Sequence, residues 1–305
     1  MIILILSGLI SSAFSFTVIA HRGASGHLPE HTLAAAALAH GLGADYIEAD
    51  LVMTKDDHLV VLHDTHLDTT TDVAALFPGR QRADGRFYAV DFTLTEIKRL
   101  QARERFNPVG GLRVFASRFS AGESGLQVPT FDEFVTLVKS LNRTRNKDVG
   151  IYVEIKKPEF HQREGKDITR AVHAAMKDHG YEKEGKAYLQ CFWPESLRRL
   201  KSEFKTRIPL VQLIAEDAWK ESSVAYGPML SAKGIQEIAS YAQGIGPRIE
   251  HLLADPKLAG RAKAAGLLIH PYTHRRDVTG TPTPARVRAL GVDGVFTDFV
   301  DDFVP

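Results

Sequence analysis

A single cysteine, Cys191, stands in a chain of 305 residues. One thiol can form neither an intramolecular disulfide nor a cysteine-built zinc cluster. No cysteine follows the N-terminal apolar run, so a lipoprotein anchor is not expected either. A charge excess is equally absent: 38 basic against 37 acidic residues leave a net charge of +1. Nothing in that balance draws the chain to nucleic acid or to an anionic membrane, and any phosphate it recognises must be held by local groups. No apolar run is long enough to cross a bilayer, so stable membrane insertion is not expected. Met1–Ser15 has the length of a signal-peptide core, with small residues at Ser11, Ala13 and Ser15 that allow cleavage after Ala13 or Ser15, but no basic residue ahead of it. Residues 1–15 therefore read as an atypical signal peptide, residues 16–305 as the folded unit, and the location as periplasmic or secreted. The competing reading of the leader is an extra strand or helix. Internal repeats, low-complexity segments and interdomain linkers are also missing.

What is present is the balance of a soluble globular protein, 44% hydrophobic and 25% charged. Short apolar runs alternate with amphipathic stretches, the pattern of repeated βα units around a parallel sheet. Strand-like runs are Thr17–His21, Asp45–Leu51, Leu59–His63, Gly150–Ile155, Ala187–Phe192, Leu210–Ile214, Gly244–Pro247, Leu267–His270 and Gly294–Phe296. Helix candidates include His31–His40, Asp167–Asp178, Pro194–Phe204, Ala232–Ala242 and Pro256–Ala265. The turn Thr54–His58 is too short for a helical crossover, which makes Leu59–His63 a hairpin arm. The other eight runs make an α/β fold, a (β/α)₈ TIM barrel. A length of 305 residues suits one such domain.

Residues 65–127 break the rhythm with charges and turn residues, and read as a solvated insertion after the second strand region, placed to cover an active site. Within it Thr93-Leu-Thr-Glu96 is a capping box opening a helix over Glu96–Arg103. A second box, Thr130-Phe-Asp-Glu133, restarts the barrel with a helix over Phe131–Leu141.

In a (β/α)₈ barrel the chemistry sits at the C-terminal ends of the strands. Those ends carry His21-Arg22-Gly23, Glu48-Ala-Asp50, His63-Asp64, Glu154-Ile-Lys156, Gln190-Cys-Phe192, His270-Pro-Tyr272 and Thr297-Asp298. Residues two apart on a strand share a face, so Glu48 projects with Asp50 and Glu154 with Lys156. Three converging carboxylates repel one another unless a cation sits among them, and an all-oxygen donor set favours Ca²⁺ or Mg²⁺ over zinc. Taken singly, each acid could equally pair with Arg22 or Lys156; their occurrence together with two strand-end histidines favours the metal. His21 and His63 supply groups that donate and accept protons near neutral pH. Arg22 and Lys156 offer positive charge to phosphate oxygens. Gln190, Phe192 and Tyr272 could grip a small polyol. Cys191 points away into packing, and Asp298 reads as a loop anchor or helix cap. His40, His58, His66, His161, His173, His179, His251 and His274 read as surface or packing residues.

These motifs closely resemble the glycerophosphodiester phosphodiesterase family, in particular its bacterial periplasmic branch. The resemblance rests on His21-Arg22-Gly23 with Pro29-Glu30-His31-Thr32, on Glu48 to Asp56 with Leu59 to Asp64, and on Glu154-Ile155-Lys156. Leu189 to Phe192, His270 to Thr273 and Phe296 to Phe299 extend it, so that it spans Thr17 to Phe303. His31 replaces the family's commoner Asn, which touches only a secondary hydrogen bond. The resemblance implies hydrolysis of glycerophosphodiesters to sn-glycerol 3-phosphate and an alcohol. It further implies one divalent cation, Ca²⁺ before Mg²⁺, on Glu48, Asp50 and Glu154, an acid–base pair of His21 and His63, and a phosphate clamp of Arg22 and Lys156. Two rivals stand beside it: a lipid phosphodiesterase of the same barrel type, expected to show an exposed apolar rim or a basic membrane-facing patch, and a non-catalytic surface binding protein.

Overall fold

The computed structural model describes residues 16–119 and 125–304; the leader expected at residues 1–15 lies outside them. Nine strands form one sheet: β1 (Thr17–Ala20), β2 (Tyr46–Met53), β3 (Leu59–Val61), β4 (Gly150–Ile155), β5 (Ala187–Cys191), β6 (Leu210–Ile214), β7 (Gly244–Pro247), β8 (Leu268–Ile269) and β9 (Gly294–Thr297). Eight of them run parallel in the order β8-β7-β6-β5-β4-β2-β1-β9. The ends of this path meet: Asp293 N–H donates to the Ile269 carbonyl at 3.0 Å and Phe296 N–H to the Pro271 carbonyl at 2.9 Å. The result is the (β/α)₈ barrel. β3 pairs antiparallel with β2, Leu51 opposite Val61, as the short turn requires. In that turn Thr54 Oγ1 accepts from His58 N–H at 3.0 Å and donates to Asp56 Oδ1 at 2.7 Å.

Aromatic side chains fill the barrel beneath its mouth. Tyr152 stacks on Tyr188 at 4.7 Å between ring centroids and meets Phe296 edge-on at 4.9 Å. Tyr46 and His270 complete the layer. Rings of that size fit because their neighbours are small: a Cβ on Gly150 would stand 2.5 Å from the Tyr46 ring.

Helix boundaries follow their caps. The first helix spans Leu33–Leu42, two residues later than the apolar pattern suggests. Thr32 accepts from Ala35 N–H as N-cap, while His31 is held at φ 61° and cannot join the helix. The box at Thr130 opens the helix Phe131–Arg145, one turn longer than expected. The box at Thr93 also forms, but its helix covers only Leu94–Ile97 instead of Glu96–Arg103. Beyond it the backbone donors are taken by other segments: Gln101 N–H by Asp72 Oδ1, Ala102 N–H by the Leu126 carbonyl, Arg103 N–H by the Thr70 carbonyl.

The segment between β3 and Phe131 carries its own apolar cluster, in which Leu67, Phe87, Phe92, Ile97 and Leu100 pack on Val52, Val60 and Leu62 of the hairpin. Its charges are paired rather than merely solvated: Arg82 binds Asp91 and Glu164, and Arg86 binds Asp68. Its tip exposes three apolar side chains, Val109 at 85%, Leu112 at 75% and Val114 at 52%, a departure from the solvated character expected of it.

Candidate active site

The register of three adjacent strands builds the site. Asp50 of β2 lies opposite Glu154 of β4, and Glu154 opposite Gln190 of β5. Two residues down β2, Glu48 shares the face of Asp50. The outcome is a trio, Glu48, Asp50 and Glu154, all buried, each offering a carboxylate oxygen within 4.8 Å of the others. Gln190 Nε2 donates to Glu48 Oε1 at 2.8 Å, which leaves Gln190 Oε1 buried and without a partner. Asp50 Oδ1 is likewise buried and unpartnered.

Crowding of three acids out of water shifts their protonation. Burial, then repulsion from Asp50 and Glu154, raises Glu48 well above the usual carboxylate range. Burial also raises Glu154, to about 8, against the pull of Lys156. Asp50 goes the other way: burial is overcome by His31, whose Nε2 lies 2.8 Å from Asp50 Oδ2, and by Lys156, so this carboxyl stays ionised. His31, read from sequence as a minor substitution, thus contacts the carboxylate trio directly.

The HRG turn after β1 brings the next groups in. Arg22 N–H donates to Glu48 Oε2 at 2.9 Å, and its guanidinium reaches Glu30 at 3.0 Å and Asp50 at 3.7 Å. Gly23 makes this turn possible: at φ 81° a side chain is strained, and its Cβ would lie 2.8 Å from the Ala35 backbone. His21 Nε2 stands 3.8 Å from Glu48 Oε2. Its Nδ1 binds Asp298 Oδ1 at 2.5 Å, so Asp298 anchors a histidine rather than capping a helix. His63 Nδ1 binds Asp64 Oδ1 at 2.6 Å. Burial, then the charge of Arg22, lowers His21 to about 4 despite Asp298. Burial with Arg22 and Lys156 lowers His63 too. Both imidazoles are neutral at neutral pH.

A cavity of about 290 Å³ opens above the trio and is lined by His21, Arg22, Glu48, His63, Glu154, Gln190, Phe192 and Tyr272. Asp50 is not among the residues that line it. Lys156 is also buried, 2.7 Å from Glu154 Oε1, and faces an adjoining recess of about 70 Å³ that it shares with His63. Tyr272 presents its ring only, since its hydroxyl donates to the Ile214 carbonyl at 3.0 Å; the ring stands edge-on to Phe192 at 5.9 Å. Cys191 is buried against Ile155 and Trp193 and takes no part. Trp219, Glu221, Arg248 and Arg275 also line the cavity; all four come from the segments that follow strand ends, where no periodic signal marks them. Two larger, more open grooves of about 530 and 650 Å³ hold neither the carboxylate trio nor the strand-end histidines.

Comparison with known proteins agrees with this geometry. A family model described as "Glycerophosphoryl diester phosphodiesterase family" matches residues 21–302. A Haemophilus influenzae protein named glycerophosphodiester phosphodiesterase is 39% identical over 93% of this chain and 87% of its own length. One of the same name from Treponema pallidum is 34% identical over 93% and 89%. Among solved structures, a putative glycerophosphoryl diester phosphodiesterase from Silicibacter pomeroyi superposes with a TM-score of 0.72 at 24% identity, covering 94% of this chain and 91% of that one. An Oleispira antarctica phosphodiesterase, solved in complex with the product sn-glycerol-3-phosphate, gives 0.69 at 20% identity, covering 94% of each chain.

Proposed function

The chain belongs to the glycerophosphoryl diester phosphodiesterase family, and we propose that it hydrolyses deacylated phospholipid headgroups, the glycerophosphodiesters, to sn-glycerol 3-phosphate and an alcohol, using one divalent cation, Ca²⁺ before Mg²⁺. The observation that carries this reading is the buried trio Glu48, Asp50 and Glu154 beneath a small cavity flanked by two strand-end histidines.

The trio fits a hard cation. Asp50 Oδ1 is a buried acceptor without a donor, and Glu48 and Glu154, raised by burial and by their acidic neighbours, are carboxyls that a dication would hold ionised. Bound there, the cation would offset negative charge developing on the phosphate oxygens. The chain's own groups do the rest. Arg22, whose Nε is buried without a hydrogen-bond partner, and Lys156 bind the phosphate. One of His21 and His63 takes the proton of the attacking oxygen, and the other delivers one to the leaving alkoxide. Both are depressed mainly by burial and by the cations beside them, so an arriving phosphate anion raises them and ties protonation of the acid to substrate binding. Gln190 Oε1, unpartnered on the cavity wall, accepts from a glycerol hydroxyl, and the rings of Phe192 and Tyr272 cover the carbon skeleton.

His21→Ala and His63→Ala should each lower kcat by on the order of 10²–10⁴ with an unchanged circular dichroism spectrum. A near wild-type kcat in either variant removes that histidine from the chemistry.

One observation favours the lipid-cleaving rival, the exposed Val109, Leu112 and Val114. The cavity speaks against it: about 290 Å³ lies at the lower end of small-molecule sites, roughly 300–1,000 Å³, with no room for two acyl chains. The non-catalytic binding-protein reading is set aside, because every strand-end acid and histidine is in place.

A further inference from the structure

The two histidines are braced by the same three-part arrangement, built twice. His63 Nδ1 binds Asp64 Oδ1 at 2.6 Å, and Asp64 Oδ2 accepts from Arg105 Nη1 at 2.7 Å. His21 Nδ1 binds Asp298 Oδ1 at 2.5 Å, and Asp298 Oδ2 accepts from Arg118 Nη2 at 2.7 Å. The histidines and aspartates belong to the barrel and its hairpin arm. Both arginines come from the segment between β3 and Phe131. We propose that Arg105 and Arg118 are positioning residues, through which this segment fixes the carboxylates that orient His63 and His21.

Each guanidinium is itself held. Arg105 grips Glu30 through Nε at 2.9 Å and Nη2 at 2.6 Å, and Glu30 in turn receives Arg22 at 3.0 Å. One arginine of the segment therefore links the His63 pair to a proposed phosphate ligand. Arg118 grips Asp277 through Nε at 2.8 Å and Nη2 at 3.0 Å, and lies 3.6 Å above the Phe115 ring. Thr69 also donates to Asp64 Oδ2 at 2.5 Å, and Arg275 Nε to Asp298 Oδ2 at 3.0 Å, so neither carboxylate hangs on a single donor. The planar fork is what the job needs, because each arginine spans two carboxylates at once, which a lysine ammonium cannot do in the same geometry.

The consequence for the site is a fixed tautomer. An ionised aspartate at Nδ1 keeps the proton of a neutral imidazole on Nδ1 and leaves Nε2 free at the cavity. Without its arginine each carboxylate keeps only the weaker brace of Thr69 or Arg275, its orientation loosens, and the bias of the proton towards Nδ1 falls. Arg82 of the same segment has no such reach: it binds Asp91 and Glu164, not the aspartate of either histidine.

The inference rests on the proposed roles of His21 and His63, and two independent readouts separate its failure from theirs. In the full chain, side-chain ¹⁵N spectra of wild-type protein should show the Nδ1-protonated tautomer at both histidines. Arg105→Ala should release that bias at His63 only, and Arg118→Ala at His21 only. On glycerophosphocholine each variant should lose on the order of 10–100-fold in kcat with KM within about threefold of wild type, and added guanidinium should restore part of the loss. Arg82→Ala should match wild type in both measurements. If an Ala variant does not fold, Arg105→Lys and Arg118→Lys take its place, with the same expectations. Unchanged tautomers, a kcat within about threefold of wild type, or an equal loss in Arg82→Ala would each overturn the proposal. An inactive wild type would sink the hydrolase reading, leaving the tautomers to decide the bracing.

Discussion

Glu154, raised to about 8 mainly by burial, and Glu48, raised by burial and its two acidic neighbours, hold protons at neutral pH that an incoming cation must displace. Metals bind the deprotonated carboxylate, so affinity should fall as pH drops below 8 and rise towards it. Calorimetric titration with Ca²⁺ or Mg²⁺ at pH 7, in buffers of different ionisation enthalpy, should therefore show net proton release, up to about two protons per ion bound. Glu154→Gln should weaken binding and reduce that release. Binding with no buffer dependence would mean the trio is fully ionised without metal. The trio was legible in the sequence because strand alternation places Glu48 with Asp50, and parallel neighbours bring their ends together. Asp298 was not: its partner His21 lies 277 residues away, and no local pattern records a contact of that span. The role of His31 was hidden for a related reason, since a φ of 61° turns its ring back onto Asp50.

Two histidines outside the chemistry tie elements together in their neutral form. His161, on the helix Pro158–Arg163, accepts the Met53 N–H at the end of β2 through Nε2 at 3.1 Å. His270, just past β8, meets the Tyr152 hydroxyl of β4 at 3.1 Å. Burial lowers each to about 4, against about 6.5 in an unfolded chain. Between those values the unfolded state binds more protons, so stability is fully present above pH 6.5 and is lost as pH falls towards 4. Each histidine contributes roughly 3 kcal/mol of this loss at most. Urea unfolding at pH 7 and pH 5 should show a smaller drop for His161→Gln than for wild type; an equal drop would remove His161 from the acid sensitivity. Elements themselves were readable wherever the signal is local. All eight barrel strands follow from apolar runs, and β3 from a turn too short for a crossover. The helix after Thr93 was overread because its donors go to Asp72, Thr70 and Leu126, partners that a capping box cannot reveal.

At the scale of the whole molecule, an aromatic layer closes the barrel below the carboxylates and a segment with its own apolar cluster stands beside the mouth. The space left suits a diester stripped of its acyl chains. Initial rates on glycerophosphocholine should far exceed those on intact phosphatidylcholine in mixed micelles, and replacing Val109, Leu112 and Val114 with Ser should leave the former unchanged. Comparable rates on both substrates would favour the lipid-cleaving rival and assign the exposed tip to a membrane surface. Among the described residues no helix is long and apolar enough to cross a membrane. The central claim, that three buried carboxylates hold a cation required for glycerophosphodiester hydrolysis, is most directly tested by an enzyme-coupled assay of glycerol 3-phosphate released from glycerophosphocholine. Excess chelator should abolish the release, and Ca²⁺ or Mg²⁺ should restore it in wild type but poorly in Glu154→Gln. Full release of glycerol 3-phosphate in excess chelator would contradict it.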